Sequence, residues 1–292
     1  MKTRLPCALC GLAFLFATVA PAFGHGFAGK RFFPATLSVE DSFVAPELDF
    51  LYSNNRVPGE EGGDLYASGL SAEFAKPLTQ NFQLSLGAAY LHQNPLDGPP
   101  VNGWDNFELG AKYQVFIDAD AESALAVGVE ADLGGTGSAR VGAESSSEIA
   151  PAVYYSKGFG NLSTGWLRPF AITAAVAPTF PTDSEEPHAV EWGLTLQYSL
   201  PYLDDFVKDT GLPAPFRNMI PIVEFPMTTC LDRGCAGHTT GTINPGFVWV
   251  GKVSQLGFEL VIPVNSASGS HVGFLLQYHL YLDDIIPSWS VR

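Results

Sequence analysis

The most regular feature of the chain is a hydrophobic period of two, the pattern of strands whose two faces meet different surroundings. In 82–92, Phe82, Leu84, Leu86, Ala88 and Tyr90 alternate with Gln83, Ser85, Gly87 and Ala89. Phe107, Leu109, Ala111, Tyr113 and Val115 alternate with Glu108, Gly110, Lys112 and Gln114. Leu125, Val127, Val129, Ala131 and Leu133 oppose Ala124, Ala126, Gly128, Glu130 and Asp132. Val190, Trp192, Leu194, Leu196, Tyr198 and Leu200 oppose Glu191, Gly193, Thr195, Gln197 and Ser199. Near the end, Val272, Phe274, Leu276, Tyr278 and Leu280 oppose His271, Gly273, Gln277 and His279, with Leu275 the apolar exception. Weaker segments bring the expectation to about twelve strands, near 47–53, 64–75, 82–92, 107–115, 123–133, 149–157, 168–180, 190–200, 219–229, 240–251, 256–263 and 271–281. Most are longer than the usual strand of about five or six residues and match the roughly 9–11 that a tilted membrane-crossing strand needs.

Two surroundings produce such alternation. A soluble sandwich turns its apolar face to a dry core; a membrane barrel turns it to lipid and its polar face to a lumen. The polar face here carries Gly, Ala, Ser and Gln with scattered Glu, not the dense charge of a water-covered sheet, which favours the barrel. Closure would also leave no unpaired sheet edge in lipid. The segment boundaries fit: the short "KPLTQN", 116–122 and "KVSQ" alternate with the longer 54–63, 93–106 and 134–148. The long connection 201–218 is the exception, read as a short helix with Asp204 or Asp205 as N-cap. The domain reading is a leader at 1–24, an N-terminal arm or plug at 25–46, and an antiparallel barrel at 47–292.

The leader rests on basic Lys2 and Arg4, an apolar stretch at 9–19, and small residues before His25. Its removal takes Cys7 and Cys10 and leaves Cys230 and Cys235, spaced "CLDRGC", which in an exported chain read as a loop disulfide; zinc would want two further ligands. Acidic residues number 30 against 15 basic ones, the wrong sign for nucleic acid.

Residues 103–137, "GWDNFELGAKYQVFIDADAESALAVGVEADLGGTG", and 255–284, "QLGFELVIPVNSASGSHVGFLLQYHLYLDD", resemble the outer-membrane barrels of the MetA-pathway-of-phenol-degradation, or transporter-like, group. "GGTG" stands where that group has Pro-Thr-Gly, and the chain ends "PSWSVR" without a terminal aromatic. The resemblance implies an outer-membrane barrel passing small apolar or aromatic compounds.

Inward parity assigns Glu108, Lys112, Glu130, Asp132, Glu191, Gln197, Glu259, Gln277 and His279 to a lumen. Glu108 and Lys112 share a face about 13 Å apart and so pair across strands, with Glu130 expected to meet Lys112. Such charges either form a selective lining or close a small barrel as internal ladders. The acidic runs "PGEEGGD", "GAESSSE" and "PTDSEEPH" could bind divalent cations that bridge anionic lipid headgroups, or simply keep outer loops solvated. A mature terminal His25 could chelate copper, against the plainer reading of a plug-forming arm. None of the six His is followed by x-Ser, the pair an outer-membrane phospholipase would need, and no cofactor motif is present. The echo "LQYSLPYLDDF" and "LQYHLYLDDI" places Tyr198, Tyr202, Tyr278 and Tyr281 at a lipid interface, with Asp204–Asp205 and Asp283–Asp284 where the chain re-enters water. The expectation is a passive outer-membrane channel for small molecules without catalysis, with a non-conducting surface barrel or a lipid-modifying enzyme as alternatives.

Overall fold

Twelve long strands follow one another round a single antiparallel sheet: β1 (Glu47–Pro58), β2 (Asp64–Thr79), β3 (Phe82–Pro95), β4 (Phe107–Asp118), β5 (Ser123–Leu133), β6 (Glu148–Gly158), β7 (Phe170–Pro181), β8 (Ala189–Tyr198), β9 (Met219–Cys230), β10 (Thr239–Val250), β11 (Ser254–Pro263) and β12 (Gly273–Tyr281). Each pairs with the next, and β12 returns to β1 with His279 opposite Asp49, so the sheet closes into a barrel. The structure, a computed structural model, describes residues 26–58, 64–95 and 98–289. The leader at 1–24 and His25 therefore lie outside the described residues.

Every expected strand is present, most of them longer by a few residues. The β2–β3 connection shrinks to the pair 80–81, because β2 runs on through Pro77, where the register shifts against β3. Proline has no N–H to give the ladder, and a bulge accommodates it. Three short strands lie outside the expected set: Phe27–Ala28 and Arg31–Phe32 in the N-terminal arm, and Val101–Trp104, which folds back onto the C-terminal half of β3.

The distribution of polarity decides between sandwich and barrel. Leu70 on the outward face is 53% exposed, whereas inward-facing Glu224 and Glu259 are 0% exposed. In water each such outward Leu or Phe would forgo most of the roughly 1.5–3 kcal/mol that burial contributes; surrounded by lipid it does not. Aromatic side chains gather toward both strand ends of the outward face. Tyr66, Tyr90, Trp104 and Trp192 lie toward one end, and Tyr113, Phe116, Tyr155 and Tyr278 toward the other, the two girdles of a membrane barrel.

The end where β1 begins and β12 finishes is called here the near end. Its connections are 80–81, 119–122, 159–169, 199–218 and 251–253. The fourth contains α1 (Leu200–Phe206), so β8 stops at Tyr198 and Leu200 is helical, not extended. Its N-cap is Ser199, whose side chain accepts from Tyr202 N–H at 3.1 Å, and Pro201 occupies the first turn. That corrects the assignment to Asp204 or Asp205. Asp204 instead accepts from the Thr210 backbone N–H (2.8 Å) and hydroxyl (2.9 Å), which hold its carboxyl below the usual range.

After β12 the chain turns through α2 (Leu282–Ile285). Trp289 then lies against Phe74 of β2, ring centres 5.9 Å apart, with Lys76 Nζ 3.7 Å over the Trp289 ring.

Candidate functional site

Residues 26–46 run inside the barrel, and inward side chains of the wall hold them there. The arm begins with a small hairpin in which Phe27–Ala28 pairs with Arg31–Phe32. Arg31 is fully buried and donates to Glu122 Oε2 (3.3 Å), Pro169 O (2.9 Å) and Arg168 O, tying the hairpin to two near-end connections. Burial pulls its guanidinium below its ordinary value, while Glu122 opposes that shift. Further in, Phe33 and Phe43 stack at 5.3 Å and rest on Ala124 and Ala171, small wall residues that leave the space.

The tightest clamp is Glu224 on β9. Its carboxylate accepts from three consecutive arm amides: Leu37 (2.9 Å), Ser38 (2.8 Å) and Val39 (2.7 Å). Ser38 Oγ also donates to Glu259 Oε2 (3.3 Å) and accepts from Asn244 Nδ2 (3.0 Å). Leu37 enters an apolar patch of Ile220, Ile222, Val248 and Leu275. Leu275, the apolar exception in its strand, is thus a seat for the arm. Gly193 and Gly257 lie where a Cβ would come within 2.6 Å of Val39 and 2.7 Å of Leu37. Gln255 and Gln277 donate to the carbonyls of Ala35 (2.6 Å) and Thr36 (3.1 Å), and Gln83 accepts from Ala45 N–H (3.0 Å).

Lys112 is the last clamp. Its ammonium donates to Glu40 and to the carbonyls of Asp41 (3.1 Å) and Phe43 (3.4 Å). The expected partner Glu130 instead accepts from the Tyr154 hydroxyl, because Lys112 stands opposite Gly128 and reaches inward, not sideways. The sequence could not show this, since the arm has no period from which to place Glu40.

Above the arm, toward the far end, the lumen holds two adjoining cavities of about 410 Å³ each, and a smaller one of about 160 Å³ runs beside the arm along β1–β3. Glu108, Glu130, Asp132 and Glu191 line them, joined by Glu73, Glu148 and Glu40. The nine inward residues therefore divide. Those four face open space, whereas Lys112, Glu259 and Gln277 hold the arm. His279 lies between Asp49 (3.1 Å) and Glu47 (3.4 Å), and Gln197 is buried opposite Ile222 without a partner among the described residues. Glu224 escaped the sequence reading because its strand, "MIPIVEFPM", is apolar on both faces and shows no parity.

The tyrosine assignment needs correction. Tyr278 is exposed on the outward face and Tyr198 stacks there with Phe170 at 4.7 Å. Tyr202 and Tyr281 are 6% and 4% exposed and point inward. The helix turns Tyr202 under the barrel to donate to Glu122 (2.8 Å), and Tyr281 keeps the parity of His279 and donates to Gln255 (2.8 Å). Burial, then the Glu122 hydrogen bond, pushes the Tyr202 phenol up to about 12.

At the far end Cys230 and Cys235 form a disulfide. Beside it Asp232 accepts from the His188 backbone N–H (3.0 Å) and meets its ring nitrogen at 2.7 Å; the ring hydrogen bond holds the Asp232 carboxyl below its usual range. Of the acidic runs, "PGEEGGD" falls largely outside the described residues. In the other two, Ser146 donates to Glu186 (2.6 Å) and Asp183 caps its own turn at Glu185 (2.8 Å). Among the described residues no three His, Cys, Asp or Glu side chains are grouped to hold a metal.

No protein-family model matches the chain, and no curated protein matches it. Among solved structures it is similar to an outer membrane channel from Pseudomonas putida F1, at a TM-score of 0.56 and 13% identity over 86% of this chain and 99% of that one. The β domain of the Bordetella autotransporter BrkA gives 0.48 and 12% identity over 80% and 98%; the NanC porin gives 0.47 and 8% over the same shares. At such identity the likeness is one of fold: the chain has the fold of an outer-membrane β-barrel.

Proposed function

We propose that the chain is a passive outer-membrane channel for small solutes, exported by a leader at 1–24, whose near half is narrowed by its own arm. The observation that carries this reading is the acidic chamber. Inward carboxylates surround open space above the arm, and Lys112, the base among its lining residues, is already engaged by Glu40. Field lines of one sign focus in a low-dielectric lumen, so cations and neutral molecules would enter in preference to anions. The short turns at 80–81, 119–122 and 251–253 support assigning the near end to the periplasm. The resemblance of 103–137 and 255–284 to the phenol-degradation group supports small apolar or aromatic molecules among the neutral solutes.

A second reading, a barrel that does not conduct, is favoured by one observation: the arm occupies the near half of the lumen and is tied to the wall by many hydrogen bonds. Single-channel recording of the leaderless chain in a planar bilayer separates the two. The channel reading predicts cation-selective steps. Replacing both Glu108 and Glu130 by Gln should move the reversal potential in a salt gradient toward zero. A silent bilayer over repeated insertions, or anion selectivity, would overturn it.

A further inference from the structure

The echoed segments converge on a cavity that the channel reading leaves unused. At the near end, between the arm hairpin, α1 and the β10–β11 turn, lies a pocket of about 340 Å³. Its walls are aromatic: Phe27 and Phe32 from the hairpin, Tyr202 and Phe206 from "LQYSLPYLDDF", and Tyr281 from "LQYHLYLDDI". Phe27 and Phe32 stand 5.1 Å apart, Phe32 meets Tyr281 edge-on at 6.3 Å, and Tyr202 meets Phe206 at 5.0 Å. The floor is rigid, since the Arg31 guanidinium lies 3.8 Å over the Tyr202 ring and both are bonded to Glu122.

The rim carries the polar groups. Lys30 and Lys252 border the pocket, and among the described residues neither has a carboxylate within ion-pair distance. Lys30 Nζ lies 5.5 Å over Phe206, at the pocket mouth. Two acids share the rim: Asp205 faces Arg217 at 3.3 Å, and Asp284 stands toward the end of α2. Two ammonium groups at one aromatic-walled hollow, without a carboxylate partner among the described residues, stand out in a chain with twice as many acids as bases.

A cavity of about 150 Å³ holds one benzene ring, and ligand sites run from roughly 300 Å³ upward with apolar walls and a few placed polar groups. Offset and edge-on packing against several rings selects a planar aromatic body, while the two lysines select an anionic substituent. We propose that this pocket binds aromatic carboxylates of one or two rings, entering from the near end. The acidic chamber is lined by other residues and would repel the same molecules, so this is a second site and not the continuation of the first. It also gives the long 199–218 connection a role, for without α1 the pocket loses one wall.

The proposal stands apart from conduction and is tested by binding. The leaderless chain in nonionic detergent is titrated calorimetrically with 2-naphthoate and with uncharged 2-naphthamide, against blanks of detergent alone. Saturable binding of naphthoate near one per chain is expected. Phe206→Ala removes a half-exposed ring from the mouth of the pocket; it should weaken both compounds about ten-fold. Lys30→Gln with Lys252→Gln should weaken naphthoate about ten-fold and leave naphthamide unchanged. Heat-modified gel mobility reports that each variant keeps its barrel. Absence of saturable naphthoate binding, or binding indifferent to Phe206→Ala, would overturn the site. Naphthoate binding unchanged in the lysine variant would overturn the assignment to anions.

Discussion

Glu224 presents two carboxylate oxygens to three backbone N–H groups that the arm, having no sheet partner there, cannot satisfy itself. Hydrogen bonds to a charged group are each worth about 1.5–3 kcal/mol net, and three on one carboxylate make this residue the principal lock. Glu224→Gln keeps the shape, removes the charge and turns an amide donor toward other donors. Amide exchange at 37–39, followed by mass spectrometry, should accelerate about ten-fold or more, while the barrel strands keep their protection. Unchanged protection at 37–39 would show that apolar seating of Leu37 suffices. The strength of this lock was invisible in the sequence for two reasons. The isoleucines beside Glu224 hide its parity, and its partners are backbone groups, which carry no residue signature. By contrast Glu108, Lys112 and Glu130 sit in strands with one clean apolar face, and their inward direction was legible.

Among the elements, those with two unlike faces were readable and those without were not. Five strands show a clean period of two because lipid and lumen impose opposite demands on alternate residues; in β9, apolar on both faces, it fades. The arm answers to neither and shows no period. Helix α1 was misplaced because Leu200 continues the strand alternation, although a Ser followed by Pro in the first turn was the available signal. At the far end, loops 182–188 and 231–238 are clasped by His188 and Asp232, with Arg233 3.6 Å from the same carboxylate. A carboxyl held below its usual range contributes stability that is present above its unfolded value and lost as pH falls through its folded one. The clasp should therefore survive acidification below the ordinary aspartate range and open only at lower pH. Protection of the His188 amide, corrected for intrinsic exchange, follows this. Asp232→Asn should abolish the pH dependence, and loss of protection already near pH 5 in the natural chain would contradict it.

At the scale of the whole molecule, a closed barrel and a seated arm are separable structures. The wall is held by its ladder, while Glu224, Lys112 and a small apolar patch hold the middle of the arm and Arg31 keeps its hairpin at the near end, so the stretch 37–43 can be released without unfolding the wall. Breaking a buried ion pair by removing one partner costs about 3–5 kcal/mol. Glu40 keeps 44% of its side chain exposed, so water takes over much of its charge and the Lys112 latch is worth correspondingly less. The combined variant Glu224→Gln, Lys112→Gln should therefore leave heat-modified gel mobility unchanged and raise single-channel conductance several-fold, because the bore then widens where 37–43 had filled it. Cation selectivity should persist, since Glu108, Glu130, Asp132 and Glu191 stay on the wall. If conductance stays at the natural level while exchange at 37–39 rises, the narrowest point lies in the acidic chamber and not along the arm. If selectivity disappears as conductance rises, the carboxylate that confers it is Glu40, carried on the arm and displaced with it.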